Sequence, residues 1–156
     1  MKKQELQKNI GYQFEDESLL NKAMTHTSYA YENNVESNEK LEFLGDSILE
    51  FISSKYIFKN YPNLKEGEMT KVRAQVVCEQ SLYKIAKMHN FSDFLNLGKS
   101  EKLSGGKERP AILADSVEAE CTFGIRYTDP ALVKRALDDL DLLSVRKRHP
   151  NTLSGG

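Results

Sequence analysis

Residues 37–59 constrain this chain more than any other stretch. Leu41, Leu44, Ile48, Phe51 and Ile52 recur at helical spacing. At about 100° per residue they cover one side of a helix, the expected core side. Ser37 or Asn38 can cap its start, and Glu39 in the first turn suits the helix dipole. Glu39, Glu42 and Asp46 fall within about 60° of one another on the opposite side. Carboxylates at i, i+3 and i+7 repel, and a cation would relieve that repulsion. Acidic stripes on helices are usually solvated faces, so this one gains meaning only from a second acidic set elsewhere. Phe43 lies beside the acids, where the helix of a monomer should be polar, and so marks a partner-binding position.

The second set lies in the segment after Pro110, which can open a helix at its first turn. Ile112, Leu113 and Val117 are its apolar positions, and Asp115 and Glu118 form an i, i+3 acidic pair. If the two helices pack side by side, Glu42, Asp46, Asp115 and Glu118 converge. Four uncompensated negative charges in one cleft are costly. An oxygen-only donor set suits a hard cation, Mg²⁺ or Mn²⁺. A di-iron bundle site would need Glu-x-x-His pairs, and no His here stands three residues after a Glu. Carboxylate-held metal in a helical cleft serves phosphoryl chemistry, by activating water and neutralising charge on phosphorus oxygens.

The remaining segments predict more helices. Residues 4–10, 17–24, 65–77 and 81–88 carry helical periodicity, with residues 25–29 ending the second helix and 31–36 forming a loop. His26 is expected to be a hydrogen-bonded structural residue. Glu66 reads by itself as a first-turn surface acid. Lys71, Arg73, Lys84 and Lys87 could form a basic rim. Gly98-Lys99-Ser100 resembles the end of a phosphate-binding loop, but Asp93 stands where that motif needs Gly. Residues 104–109 read as a flexible, charged loop. Glu120 shares the face of Leu113 and Val117, a poor core position for a carboxylate. Residues 129–140 read as a last amphipathic helix and 144–156 as a flexible tail. Strand signals are almost absent, and the expected fold is an all-α, multi-helix bundle.

With 156 residues, the chain is long enough for one domain, here residues 1–143, plus the tail. Two cysteines, Cys78 and Cys121, make neither a disulfide framework nor a zinc site, which suits a reduced, cytoplasmic compartment. No apolar run approaches the roughly 20 residues of a membrane span, and no signal peptide follows Met1. A formal net charge of -1 predicts no global attraction to nucleic acid. A polyanionic partner would need a local basic patch, and its binding would be weak and salt-sensitive.

Three segments carry a family resemblance. Residues 38–47 (NEKLEFLGDS) match the signature of the ribonuclease III family, which cleaves double-stranded RNA. Residues 66–71 (EGEMTK) and 112–119 (ILADSVEA) resemble two further family segments, in the same order and spacing. The resemblance implies the ribonuclease III endonuclease fold, working as a homodimer with double-stranded RNA as substrate. It matches Glu42, Asp46, Asp115 and Glu118 to the family's Mg²⁺ site, where Mn²⁺ substitutes. Asp46 and Glu118 match the most critical carboxylates, and Glu39 and Glu66 match auxiliary acids of the cleavage valley. Phe43 matches the side chain that enters a socket on the second subunit. Hydrolysis would leave 5′-phosphate and 3′-hydroxyl ends, as in rRNA and mRNA processing.

Two departures stand out. The sequence ends before a double-stranded-RNA-binding domain, so a catalytic domain alone is expected. Residues 120–128 depart from the family's small, apolar helix after the last acid. That departure keeps open a non-cleaving RNA-binding or dimerisation module of the same fold. A metal phosphohydrolase acting on small nucleotides is a further alternative.

Overall fold

The computed structural model describes residues 2–121 together with Lys134. Among the described residues the chain forms α1 (Lys2–Ile10), α2 (Glu17–Ala23), α3 (Thr27–Asn33), α4 (Glu39–Asn60), α5 (Glu66–Val76), α6 (Glu79–Met88), α7 (Lys99–Leu103) and α8 (Pro110–Cys121). Short 3-10 turns, Phe91–Asp93 and Gly106–Glu108, flank α7. No strand forms among these residues; Thr25 and Asn96 make an isolated parallel bridge. The helix expected over 129–140 lies outside the described residues except for Lys134, which is helical. The tail expected over 144–156 and the divergent positions 122–128 also lie outside them.

Helix α8 is the hub, packed chiefly against α4 on one flank and α6 on the other. Leu113, Ser116, Val117 and Ala119 are fully buried, and Ile112, Ala114 and Cys121 nearly so. Leu113 and Val117 each contribute roughly 1.5–3 kcal/mol by this burial. Asp115 and Glu118 are only half-buried, so they mark the one acidic strip on an otherwise enclosed helix. Glu120 is fully buried. The strain expected from its place in the apolar pattern does not end the helix, which runs on to Cys121.

The core face of α4 differs from the one its apolar spacing predicts. The buried residues are Gly45, Leu49, Ser53 and Ile57, about a third of a turn away from the apolar stripe that includes Leu44 and Phe51. Small side chains at Gly45 and Ser53 let α8 approach closely, which an all-leucine face would prevent. Leu44 and Phe51 are therefore left exposed, together with Phe43 and Phe58. The core face has thus moved round toward the acids, which keep their place on the helix. Glu42 borders the buried strip instead of opposing it, and so it faces α8.

Residues 25–36 also depart from expectation. His26 opens a new helix, α3, by accepting a hydrogen bond at Nδ1 from the Ser28 backbone N–H (3.2 Å). Asn34, in the left-handed region at φ 52°, closes it. Ala30 is its single buried residue, so there was no apolar period to reveal the helix. Of the two residues expected to cap α4, Ser37 receives an N–H of its first turn and Asn38 instead ties its start to α2. Asn38 is buried and donates its side-chain amide to the Ala23 carbonyl (3.1 Å), while the Ser37 hydroxyl accepts from the Glu39 N–H (3.4 Å). Residues 104–109 are shaped by the 3-10 turn and by an Arg109–Glu101 ion pair, instead of forming a structureless loop.

Candidate metal centre

Helix α4 brings Glu42 to the strip of α8 that carries Asp115 and Glu118. One carboxylate oxygen from each of these three residues lies within 4.8 Å of the others. They sit in an open cleft of about 550 Å³, which Glu39, Phe43, Asp46, Glu79 and Ala114 also line. Two different constraints fix the trio. The Asn38 tie sets the start of α4, and the buried Leu113–Val117 face sets the rotation of α8.

The electrostatics are those of crowded, half-dried acids. Burial, followed by the charges of Asp46, Asp115 and Glu42, pushes the Glu118 carboxyl up to about 8. Burial raises Glu42 as well, followed by Asp115, Glu39 and Asp46. Asp115 is raised by burial and by Glu79, and His26 partly opposes the shift. Protonation is one remedy for such repulsion; a divalent cation is the other. The donor set fits Mg²⁺ or Mn²⁺. Around a six-coordinate Mg²⁺ neighbouring ligand oxygens stand about 3 Å apart and only opposed ones about 4.2 Å, so the trio, whose oxygens lie within 4.8 Å of one another, has to draw together by side-chain adjustment to hold one ion directly.

Not every expected site residue reaches this trio. Asp46 and Glu39 are exposed on the cleft wall. Glu66 lies elsewhere in the protomer, in a cavity of about 230 Å³ between α4 and α5 that Ser54, Ile57, Phe58, Met69, Thr70 and Arg73 also line. Thr70 donates to the Glu66 carboxylate (3.2 Å). Glu79 was missed. The periodicity placed the start of α6 at Ser81, whereas the helix begins at Glu79. An acid standing one turn ahead of the Leu82–Ile85 period was the available signal. Of the expected basic rim, Lys87 pairs with Glu108 and Arg73 donates to Ser54 (3.0 Å).

A family model described as Ribonuclease-III-like matches residues 16–122, well over half of the chain. The chain belongs to the ribonuclease-III-like family. It is 47% identical over 134 residues to the Ribonuclease 3 of Listeria welshimeri, covering 84% of this chain and 58% of that protein. It is 48% identical over 132 residues to that of Geobacillus thermodenitrificans, covering 83% of this chain and 53% of that protein. The chain thus spans a little over half the length of these curated ribonuclease III relatives. Among solved structures, the nuclease domain of the Campylobacter jejuni ribonuclease III superposes with a TM-score of 0.73 at 35% identity, covering 94% of this chain and 97% of that one. That structure is described for flexibility in a region involved in dimer formation. The all-α bundle read from periodicity agrees with these nuclease-domain folds. Among the described residues, no helix is long and apolar enough to cross a membrane.

Proposed function

We propose that this chain is the catalytic core of an endoribonuclease that hydrolyses double-stranded RNA with a divalent cation, Mg²⁺ or Mn²⁺. The observation that carries the reading is the convergence of Glu42, Asp115 and Glu118 in a chain of this family. These three would hold the ion, with Asp46 as the fourth ligand from the cleft wall. When bound, the ion supplies a water of lowered pKa and neutralises charge growing on the phosphorus oxygens. Glu118, with the most strongly raised pKa of the trio, is suited to hold or release a proton beside that water. Glu39 lies on the cleft wall, where it orients solvent at the rim. A binding-only module would gain nothing from an acidic cleft turned toward a polyanion.

The working unit we propose is a homodimer formed across α4. Phe43, Phe51 and Phe58 are exposed by 80%, 68% and 73%, and Leu44 is half exposed. Phe43 and Phe58 are about four turns apart on one face, so the stripe is long enough for a symmetric contact. Phe43 borders the acidic cleft, and the α4–α5 cavity has room for an aromatic ring. With Phe43 seated in that cavity of the second protomer, Glu66 of the partner subunit comes beside the cleft. This would explain why Glu66 stands apart from the acids of its own protomer. The two free thiols, Cys78 and Cys121, suit a cytoplasmic setting, where RNA processing substrates are found.

The decisive experiment is cleavage of a long, perfect RNA duplex in Mg²⁺ at low salt. Glu118→Gln should abolish cutting while leaving the fold and duplex binding intact. Cutting at the wild-type rate by that variant would overturn the assignment of Glu118.

A further inference from the structure

Helix α6 is the third element to reach the acidic cleft. It packs closely along α8. Its first residue, Glu79, lines the same cavity as Glu42, Asp46, Asp115 and Glu118. The side chain is exposed, and among the described residues it makes no hydrogen bond or ion pair. It stands outside the trio whose oxygens share one point. A carboxylate in that position is too far out to complete the trio. It is still near enough to act on whatever the trio holds.

We propose that Glu79 is an outer carboxylate of the metal cleft, a positioning residue that strengthens cation binding by the Glu42–Asp115–Glu118 trio. The inference rests on the metal-centre reading given above. Two physical effects support it. An additional negative charge on the cleft wall deepens the potential there, which stabilises a dication twice as much as a monovalent competitor. A carboxylate just outside the ligand set can also accept hydrogen bonds from waters that a small, hard ion retains. The other reading of Glu79 is that of a first-turn acid complementing the dipole of α6. That role concerns helix stability alone and leaves metal affinity unchanged.

The test is direct titration of the intact chain with Mn²⁺, by calorimetry and by electron paramagnetic resonance of the free ion, for wild type, Glu79→Gln, Glu79→Asp and Glu118→Gln. Thermal melts in chelator report folding separately. Glu79→Gln should weaken Mn²⁺ binding about tenfold, the low end for groups acting from outside the ligand set. Glu79→Asp should restore most of the affinity, because it keeps the charge. Glu79→Gln binding Mn²⁺ as tightly as wild type, while Glu118→Gln binds it poorly, would overturn the role of Glu79 and leave the metal centre standing. Equal binding by wild type and Glu118→Gln would overturn the metal centre itself, and the role of Glu79 with it. A lower melting temperature for Glu79→Gln in chelator, with unchanged Mn²⁺ affinity, would assign Glu79 to the helix dipole and also count against the proposal.

Discussion

Glu118 shows how a single side chain can record what its surroundings lack. In the unfolded chain its carboxyl titrates near 4.5; in the fold, burial and its acidic neighbours raise that to about 8. Between those values the folded protein binds a proton that the unfolded chain has released. Stability therefore falls as pH rises through that window. Glu42 and Asp115, also raised, add to the decline in the same direction. Melting temperatures of the metal-free protein should drop across this range, and Glu118→Gln should flatten the drop. Millimolar Mg²⁺ should shrink it too, because a bound cation stabilises the ionised form. A melting temperature independent of pH in chelator would contradict this account of the cleft.

At the scale of elements, the cleft depends on how α4 and α8 are held. Asn38 ties the first turn of α4 to the Ala23 carbonyl in a buried setting. Asn38→Ala strands that carbonyl, and should cost about 1–3 kcal/mol in a denaturant titration. Because Glu39 and Glu42 follow directly, the same change should also weaken metal binding. Leu113, fully buried on α8, carries the packing of the hub. Leu113→Ala should cost about 2–5 kcal/mol by the same measurement, the usual range for a deleted core leucine. A loss below about 1 kcal/mol would mean that α8 is less central than its burial indicates.

The whole-molecule questions are assembly and RNA binding. An isologous contact across α4 counts each interface residue twice, and burying a Phe is worth roughly 1.5–3 kcal/mol. Phe43→Ala should therefore shift sedimentation toward monomer at concentrations where wild type is dimeric. An unchanged profile would remove Phe43 as the anchor. Duplex RNA should bind this chain weakly, since affinity comes from phosphate contacts. The net charge is -1, and two of the four expected rim cations are already engaged with Glu108 and Ser54. Sub-micromolar binding at physiological salt would show that the described surface holds more phosphate contacts than this count allows.

Local signals carried the sequence reading a long way. Helical periods and a first-turn proline located most of the helices, and the spacing of acids singled out Glu42, Asp46, Asp115 and Glu118. Such patterns are legible because a helix repeats every 3.6 residues whatever surrounds it. They were silent on α3, whose single buried residue leaves no period, and on Glu79, which sits just ahead of the pattern of α6. The burial of α4 was misjudged for a related reason. Its most apolar stripe is not its core face, because close packing against α8 selected Gly45 and Ser53, and small residues carry no hydrophobic signal. The chain by itself determined which residues could bind a cation. Only the packing of α4, α6 and α8 decided which of those oxygens meet, since distance between helices is set by side-chain volume at the contact and not by spacing along either helix.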